Sequence, residues 1–424
     1  MKSFLITGER SLKGTIFIAG AKNSALPLMA ASILLKEGKL VLKNMPLLED
    51  VLSMKGLLLS LGCNLDTYGG DSNLIFHINT SQISDYTAEH EIVKKFRASV
   101  LVLAPLLVRF GKAKISLPGG CSIGVRPIDL HIKVLKAMGV SINIRQGLVV
   151  ANVQKRLSAC DFTFPKVSVG ATITAVLAAV CADGISNFFN SAIEPEIQDL
   201  CFCLNKMGAK ISNIGSSNLQ ISGVKALSPV THEVISDRIE AGTYMIAAAI
   251  TAGEIILRNI NPIFLENFVE TLRKTGTNVY LEQNSIRVEN LERKILPIDI
   301  STAPYPGFVT DLQAQFLSLM TLSSGISVVK ENIFENRFMH VAELNRMGAQ
   351  ISLNSNFATV KGVTSLDGAE VIASDLRASA SLVLAALAAK NSSKIHRIYH
   401  LRRGYQDLEK KLANCGAKIE EISD

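Results

Sequence analysis

The sequence predicts an α/β fold with two inside-out α/β barrel domains built from six repeats of the βαβαββ type. Three observations support this prediction. A helix end, a glycine and a strand start recur in that order six times, and a more apolar helix accompanies each copy. The chain also has 424 residues, 48% of them apolar, which exceeds the size at which one hydrophobic core usually keeps growing.

The repeat is recognised by one glycine at the same place in every copy. The copies are LLLSLGCNL, VLKAMGVSI, CLNKMGAKI, TLRKTGTNV, ELNRMGAQI and KLANCGAKI. Their glycines are Gly62, Gly139, Gly208, Gly276, Gly348 and Gly416, so the intervals are 77, 69, 68, 72 and 68 residues. An amphipathic pattern that ends at a glycine predicts a helix with a left-handed cap, followed directly by a strand.

The second helix of each copy is rich in alanine and leucine on all sides, as in ATITAVLAAVCADG, GTYMIAAAITAG and ASASLVLAALAA. Such helices are buried, so we expect them at the centre of each domain, inside the strands and amphipathic helices. Six repeats divide most simply as three and three, and SGVKALSPV has the composition of a connection. We therefore predict one domain over residues 22–235 and a second over residues 1–21 and 236–424.

Composition limits the classes of function. Glu9, Arg10 and Lys13 interrupt the start before a signal peptide could form, which predicts a cytoplasmic protein, and the apolar runs fall short of the roughly 18 residues of a membrane span. Seven cysteines without paired zinc spacing predict neither disulfides nor a metal site. The net charge is +7, but it is spread along a chain with 6% aromatic residues, which favours a concave site for a small polyanion over a nucleic-acid partner.

Polar segments interrupt the repeat pattern, and we expect function there. In AGAKNSALP, Lys22 and Asn23 follow Gly20 at the turn between a strand and a buried helix. A lysine together with free backbone amides at a helix start makes an anion site. A surface lysine beside a capping asparagine is the alternative interpretation.

A second segment, from KKFRASV to LPGGCSIGVRPIDLH, carries Arg97, Cys121 and Arg126. Cys121 lies in a glycine-rich stretch near a guanidinium, which favours a reactive thiolate. An inert thiol is the alternative, and it is what we expect of the other six cysteines, which lie in apolar contexts and are predicted to be small core residues.

Two further regions of the second half are polar. Asp311 in APYPGFVTDLQAQF follows a proline-containing loop, where helix capping alone would explain it. Asp375 and Arg377 stand at a predicted helix start, and Arg402 and Arg403 occur in HRIYHLRRGYQDLE. Arginines at such places bind phosphates or carboxylates, with structural ion pairs as the alternative. Because the unusual residues come from both halves, we predict one active site in a cleft between the domains.

Eight motifs together resemble the UDP-N-acetylglucosamine 1-carboxyvinyltransferase family over essentially the whole chain: GAKNSALP, FRASV, PGGCSIGVRP, KVSVGAT, FVTDLQAQF, FENRFMHV, DLRASASLV and RGYQDLE. The resemblance implies transfer of the enolpyruvyl group of phosphoenolpyruvate to the 3-hydroxyl of UDP-N-acetylglucosamine, with release of phosphate. This is the first committed step of bacterial peptidoglycan synthesis. We expect no cofactor, no metal ion, no nucleic-acid partner and no membrane partner.

The resemblance also implies roles for single residues. Lys22, Arg126 and Arg403 are similar to the phosphoenolpyruvate contacts, and Asn23 to the residue beside the reacting sugar hydroxyl. Cys121 is similar to the general acid that protonates the methylene carbon and that also forms a covalent adduct. Asp311 is similar to the residue that contacts or deprotonates the sugar hydroxyl, and Asp375 and Arg377 to a pair for domain closure and catalysis. The contacts to the UDP-sugar are expected from Lys22, Asn23, Arg97, Arg126, Pro127, Ile128, Asp129, Leu130, Lys166, Val167, Ser168, Val169, Asp311 and Ile333.

One position departs from the family pattern. Arg402 precedes Arg403 where an acidic residue is expected, so the local salt bridges are expected to differ. The alternative function is that of the sister enzyme acting on shikimate 3-phosphate, which would not need the loop cysteine. A repeat scaffold without activity would show the same polar face in every unit, whereas the unusual residues here differ from repeat to repeat. We expect His340 and His400 to be hydrogen-bonding residues of helices or loops rather than metal ligands.

Overall fold

The structure is a computed structural model, and it describes residues 2–70, 73–88, 97–117, 127–292 and 294–423, with Arg97 described by its backbone only. The described chain divides into two compact units. The first unit comprises residues 20–117 and 127–235, and the second comprises residues 2–19 and 236–423. The predicted domains are residues 22–235 and residues 1–21 with 236–424. These domain limits stay a prediction, because compactness alone does not show that each unit folds independently.

Short strands make up the sheets of both units. In chain order the described strands are β1 (Lys2–Thr7), β2 (Lys13–Phe17), β3 (Lys39–Met45), β4 (Asn64–Tyr68), β5 (Leu74–Asn79), β6 (Thr87–Ala88), β7 (Lys112–Ser116), β8 (Ser141–Arg145), β9 (Leu148–Asn152), β10 (Asp161–Thr163), β11 (Ile185–Phe189), β12 (Lys210–Ser212), β13 (Leu219–Ser222), β14 (Thr231–Glu233), β15 (Glu254–Arg258), β16 (Asn278–Glu282), β17 (Ser285–Glu289), β18 (Ile300–Ser301), β19 (Ile326–Lys330), β20 (Gln350–Asn354), β21 (Phe357–Lys361), β22 (Glu370–Ile372), β23 (Ser392–His396) and β24 (Lys418–Ser423).

Helices of two kinds alternate along the chain. The described α-helices are α1 (Lys22–Ala31), α2 (Glu49–Ser60), α3 (Leu103–Phe110), α4 (Asp129–Ala137), α5 (Val169–Ala179), α6 (Pro195–Lys206), α7 (Arg238–Ile250), α8 (Glu266–Lys274), α9 (Gln313–Met320), α10 (Val341–Arg346), α11 (Leu376–Ala388) and α12 (Leu408–Ala413). Short 3₁₀ turns occupy Ser32–Leu34, Arg97–Val102, Pro262–Leu265, Thr310–Leu312 and Ile398–Arg403.

The described strands form six four-stranded sheets, three in each unit, and all have one topology. The first unit contains the orders β14-β3-β5-β4, β6-β7-β9-β8 and β10-β11-β13-β12, and the second contains β2-β15-β17-β16, β18-β19-β21-β20 and β22-β23-β1-β24. In every sheet the first two strands are parallel and the other neighbours are antiparallel. The predicted α/β class and its repeated βαβαββ unit are confirmed.

The predicted left-handed caps are present in all six copies. The repeat glycines have φ values of 95°, 87°, 100°, 91°, 89° and 97° along the chain. A side chain at such a φ would bring Cβ close to the following carbonyl oxygen, which is why glycine recurs there.

Buried helices lie at the centre of each unit and sheets lie outside them. In the second unit all 13 residues of α7 are buried, and α7, α9 and α11 contact one another. By contrast, the amphipathic α8 buries Phe268, Val269 and Leu272, and β16 buries Val279 alone. This inside-out arrangement was predicted from the alanine- and leucine-rich pattern. Among the described residues, no helix is long and apolar enough to span a lipid bilayer.

The six described cysteines carry free thiols, and all except the half-buried Cys160 are buried. Burial raises the pKa of Cys63, Cys201 and Cys203 to about 12 and that of Cys160 to about 11. Thiols with such pKa values stay protonated and unreactive at neutral pH. The prediction that these cysteines are core residues is confirmed for the five buried ones, and Cys160 packs against the core of the first unit.

Candidate active site

Lys22 opens α1 in the first unit, and its side chain is only 14% exposed. Its Nζ lies 3.1 Å from Oδ2 of Asp50, in the first turn of α2. Ala21, and not Asn23, is the N-cap of α1, and no side chain caps the helix. The alternative of a surface lysine beside a capping asparagine is therefore wrong. Lys22 is instead a half-buried cation at the start of a helix, and this is the combination that an anion site requires.

Close packing explains the glycine before this lysine. A Cβ added to Gly20 would lie 1.8 Å from the carbonyl oxygen of Asn44, so a larger residue would have to move the backbone. The turn that delivers Lys22 thus depends on Gly20 through contact with a neighbouring chain segment.

A buried carboxylate holds the first turn of α1 to α6. Asp199 is 4% exposed; it accepts a hydrogen bond from Oγ of Ser24, and its Oδ1 lies 2.8 Å from Nε2 of His232. Since a carboxylate only accepts, Nε2 of His232 carries the proton, and Nδ1 is free to accept from Lys206 at 3.4 Å. Sequence reasoning missed this cluster, because no motif links Ser24, Asp199 and His232.

The starts of α4 and α5 lie side by side in the first unit. A Cβ at Gly170, in the first turn of α5, would meet the ring of His131 of α4 at 2.9 Å. The Nδ1 of His131 is also 2.7 Å from Oγ1 of Thr174. The structure thus brings the predicted UDP-sugar segments, 127–130 and 166–169, next to each other.

The side chains of these segments differ in exposure. Ser168 caps α5 by accepting from the amide of Ala171 at 3.4 Å. Ile128 and Leu130 are 7% and 4% exposed and lie in the hydrophobic core, so only their backbone can face a ligand. Pro127, Asp129, Lys166 and Val169 are exposed, and Val167 and Ser168 are half-buried.

Asp311 lies in the 3₁₀ turn Thr310–Leu312 of the second unit, between two guanidinium groups. Its Oδ1 is 2.6 Å from Nη2 of Arg337 and 3.6 Å from Nε of Arg377. The helix that follows is capped at Leu312 and receives no side-chain cap. The capping explanation for Asp311 is therefore wrong. Its carboxylate forms a charge cluster with the buried Arg337 and Arg377.

Arg337 is the most important residue that the sequence analysis did not single out. It is 5% exposed, and among the described residues its Nε and Nη1 find no hydrogen-bond partner. The same holds, within that part of the chain, for Nε of Arg377. Unpaired buried N–H groups of a cation are unfavourable and suit an anionic group that would accept from them. The signal was present, because Arg337 belongs to the motif FENRFMHV.

Asp375 and Arg377 stand at the start of α11, as predicted. Asp375 caps the helix by accepting from the amides of Arg377 at 2.9 Å and Ala378 at 3.1 Å. Arg377 is 5% exposed. Burial alone would lower its pKa, but Tyr405, Asp311 and Asp237 raise the pKa above the usual value of arginine, so the group stays charged.

His340 lies in the same buried region of the second unit. It is 1% exposed, and no described residue forms a hydrogen bond with its Nε2, so the prediction of a hydrogen-bonding residue is wrong for that atom. Burial lowers the pKa of His340 to about 4, against a smaller raising effect of Asp375. The ring is therefore neutral. No group of side chains suited to holding a metal ion occurs among the described residues.

Glu331 ties two predicted site segments together and was also missed. It is 2% exposed, and its carboxylate accepts from Oγ1 of Thr310 at 2.8 Å and from the amide of Ile333 at 2.8 Å. Thr310 precedes Asp311, and Ile333 is a predicted UDP-sugar contact with 37% exposure. One buried carboxylate thus fixes both places.

Comparison with known proteins shows the family to which this chain belongs. The family model of EPSP synthase (3-phosphoshikimate 1-carboxyvinyltransferase) matches residues 6–412. The UDP-N-acetylglucosamine 1-carboxyvinyltransferases of Rickettsia canadensis (strain McKiel) and Rickettsia akari (strain Hartford) are each 54% identical to this chain over 422 residues, covering 100% of both chains. The chain belongs to the UDP-N-acetylglucosamine 1-carboxyvinyltransferase family.

Two solved structures share the fold of this carboxyvinyltransferase family member. The enolpyruvyl transferase NikO from Streptomyces tendae superimposes with a TM-score of 0.90 and 23% identity, over 100% of this chain and 99% of that one. EPSP synthase from Acinetobacter baumannii gives a TM-score of 0.78 and 18% identity, over 100% of both chains. At such identities the likeness concerns the fold alone.

Arg402, the departure from the carboxyvinyltransferase pattern, is engaged in ion pairs. It binds Glu409 with two nitrogens at 3.0 and 2.8 Å, and its Nη2 lies 2.6 Å from Glu421. These bonds hold the turn Ile398–Arg403 to α12 and β24. The half-buried Arg403 is the last residue of that turn. Arg402 therefore forms salt bridges with Glu409 of α12 and Glu421 of β24.

Three predicted carboxyvinyltransferase site residues cannot be placed by side chain. Cys121 and Arg126 lie outside the described residues, as does the side chain of Arg97. The backbone turn that begins at Arg97 contacts α1, α2 and α5 of the first unit.

Proposed function

We propose that this enzyme transfers the enolpyruvyl group of phosphoenolpyruvate to the 3-hydroxyl of UDP-N-acetylglucosamine and releases phosphate. The observation that carries the proposal is the 54% identity, over the full length, to enzymes named UDP-N-acetylglucosamine 1-carboxyvinyltransferase. The reaction belongs to peptidoglycan synthesis, and we infer that it takes place in the cytoplasm.

The charge cluster of the second unit supports a base and an anion site. We assign Asp311 to the proton of the sugar 3-hydroxyl, because its ionised carboxylate only accepts hydrogen bonds. The unpaired N–H groups of Arg337 and Arg377 would then bind the carboxylate of phosphoenolpyruvate, as paired guanidinium groups do. The same cations would offset the charge of the reacting group.

In the first unit, Lys22 supports phosphate binding. It combines a cation with the start of a helix, and Asp50 orients it at 3.1 Å. We propose that Lys22, Arg126 and Arg403 bind the phosphate group and that Asn23 contacts the reacting hydroxyl. Cys121 would protonate the methylene carbon as the sugar oxygen attacks the neighbouring carbon. Loss of phosphate from the tetrahedral intermediate and of a proton from the methyl carbon then restores the double bond.

We assign binding of the UDP-sugar to the adjoining segments 127–130 and 166–169, with Arg97, Arg126 and Ile333. The positive end of α5 suits a diphosphate, since its first residue Val169 is exposed, and the exposed Lys166 adds a positive charge. Because Ile128 and Leu130 are buried, their contribution is expected through the backbone. The cleft shared by both domains and closure by Asp375 and Arg377 stay predictions.

The assay offers phosphoenolpyruvate with either UDP-N-acetylglucosamine or shikimate 3-phosphate and measures phosphate release. We expect release with the UDP-sugar only. Release with shikimate 3-phosphate only would establish the alternative function, which the description of the matching family model names. Release with neither acceptor would refute enolpyruvyl transfer to both.

A further inference from the structure

Tyr405 is a buried residue to which neither the repeat pattern nor the proposed reaction gives a role. It is 1% exposed and follows Arg403 by two positions. Its Oη lies 3.0 Å from Nη1 of Arg377, 2.9 Å from Oγ1 of Thr243 and 3.1 Å from Nε2 of Gln315. One hydroxyl thus contacts side chains from α7, α9 and α11, the three buried helices of the second unit.

The direction of each hydrogen bond follows from the chemistry of the partners. Thr243 donates its single proton to the carbonyl of Ile239 at 2.8 Å, so its oxygen is free to accept. Arg377 can only donate, and Gln315 presents its amide nitrogen, since that nitrogen also faces the carbonyl of Asp311 at 2.9 Å. Tyr405 therefore donates to Thr243 and accepts from Arg377. It shares the second amide proton of Gln315 with Oγ1 of Thr243, which lies 3.1 Å from the same nitrogen.

Both groups that donate to Tyr405 also hold Asp311. Gln315 donates to the backbone carbonyl of Asp311, and Nε of Arg377 lies 3.6 Å from the Asp311 carboxylate. The guanidinium of Arg377 additionally lies 5.4 Å from the centre of the Tyr405 ring. Burial raises the pKa of Tyr405, so the phenol stays protonated and neutral.

We propose that Tyr405 is a positioning residue for enolpyruvyl transfer: its hydroxyl fixes Arg377 and the turn of Asp311 in one geometry. The proposal rests on the proposed function of those two residues. Removal of the hydroxyl leaves Nη1 of Arg377 without this acceptor, whereas the amide nitrogen of Gln315 keeps Asp311 and Thr243 as acceptors. The guanidinium of Arg377 then moves toward another partner. Since an error of about 1 Å in the position of a reacting group costs on the order of 100-fold in rate, such a movement lowers kcat.

The test is Tyr405→Phe, which removes the hydroxyl and keeps the ring. We expect kcat to fall ~10- to 100-fold, while KM for UDP-N-acetylglucosamine changes less than ~3-fold, because the effect is on positioned charge and not on general binding. The matched control is Tyr244→Phe. Tyr244 is also 1% exposed, and within the described residues its hydroxyl has no hydrogen bond to the Tyr405 partners. This variant should retain kcat within about 2-fold.

A second pair of variants tests the route of the effect. If Tyr405 acts through Arg377, then Tyr405→Phe in an Arg377→Lys background lowers kcat by no more than about 2-fold further. A kcat of Tyr405→Phe equal to that of Tyr244→Phe would overturn the proposal. The full loss repeated in the Arg377→Lys background would do so as well, because the two residues would then act independently.

Failure of the proposed function would be recognised separately. An unmodified enzyme that releases phosphate with neither acceptor refutes that function whatever Tyr405 does. The hydrogen-bonded network is then tested by unfolding midpoints of Tyr405→Phe, Arg377→Lys and the double variant. Non-additive shifts support the positioning role, and additive shifts refute it.

Discussion

At the scale of single residues, the second unit contains charges that are buried without full compensation. Asp311 neutralises part of the charge of Arg337 and Arg377. Yet Nε and Nη1 of Arg337 and Nε of Arg377 have no hydrogen-bond partner in the described part of the chain. Such an arrangement costs stability in the absence of an anion. The same arrangement supports the proposed binding of phosphoenolpyruvate, because its carboxylate would supply acceptors for these nitrogens.

The burial of His340 carries a cost of its own, which can be measured through pH. Its pKa falls from 6.5 in the unfolded chain to about 4 in the folded protein, so the unfolded chain binds a proton first as the pH falls. Stability is therefore lost between pH 6.5 and pH 4. We expect a loss of about 2 kcal/mol in the free energy of unfolding between roughly pH 7 and pH 5. Urea titrations at both pH values measure this loss. In His340→Gln the free energy of unfolding should fall by about 2 kcal/mol less over the same pH range. Equal losses in both proteins would contradict the assignment.

Cys121 is the residue-scale prediction that depends on the family resemblance. Its thiol should be alkylated by the epoxide fosfomycin in the presence of UDP-N-acetylglucosamine, and Cys121→Asp should resist inactivation. Mass spectrometry of the peptides identifies the labelled thiol. Cys160→Ala is the control and should be labelled like the unmodified protein, because burial raises the pKa of Cys160 to about 11. An unlabelled Cys121 would refute its assignment as the reactive thiol.

At the scale of elements, each repeat is bounded by backbone positions with positive φ. Besides the six cap glycines, three repeats place an asparagine at the end of the second strand: Asn44 within β3, and Asn190 and Asn259 directly after β11 and β15, with φ of 56°, 55° and 60°. Their side-chain amides donate to a backbone carbonyl at 2.8, 2.8 and 3.0 Å. Asparagine is one of the few residues besides glycine that adopt this conformation, and here each side-chain amide binds a segment remote in sequence. The glycines were predicted from the sequence, whereas these asparagines were not, because the bond that selects them joins distant segments.

Two glycines of the first unit allow the effect of backbone conformation on stability to be measured separately from the effect of packing. Gly208 has a φ of 100° and no atom within 4 Å of an added Cβ, whereas Gly56 lies inside α2 with equally open space. Gly208→Ala should destabilise by roughly 1–2 kcal/mol, and Gly56→Ala should stabilise by about 0.5–1 kcal/mol. Unfolding in urea measures both. Opposite signs are required, since neither change adds a clash, and a stabilising Gly208→Ala would refute the cap interpretation.

At the scale of the whole molecule, chain order and sheet order differ. β1 lies between β23 and β24, and β14 extends the sheet of β3, so each unit is completed by a strand remote in sequence. Phe4 of β1 is 1% exposed within the core of the second unit. The first residues of the chain are thus structural parts of the unit formed by the last ones.

Substitutions in the two N-terminal strands test this closure. Phe4→Ala should lower the free energy of unfolding of the second unit by about 3–5 kcal/mol, since it removes a buried ring. Phe17→Ala on β2 is the matched control, because Phe17 is 69% exposed, and it should change stability by less than about 0.5 kcal/mol. Hydrogen exchange of the β23 amides reports the loss. Unchanged protection in Phe4→Ala would mean that β1 is not an integral strand.

The sequence by itself determined the six repeats, their glycine caps, the buried central helices and the segments in which function was sought. These features follow from local periodicity and backbone conformation, which are set by residues close in the chain. The family and its expected chemistry were likewise contained in short motifs.

The tertiary structure determined which side chains of these segments are buried and which residues they contact. It paired Asp311 with Arg337 and Arg377, where capping had been an option, and it buried Ile128 and Leu130 of a predicted binding segment. It also showed the cluster of Asp199 and the contacts of Tyr405. Hydrogen bonds and desolvation depend on which distant residues meet in space, and this information is absent from any local pattern.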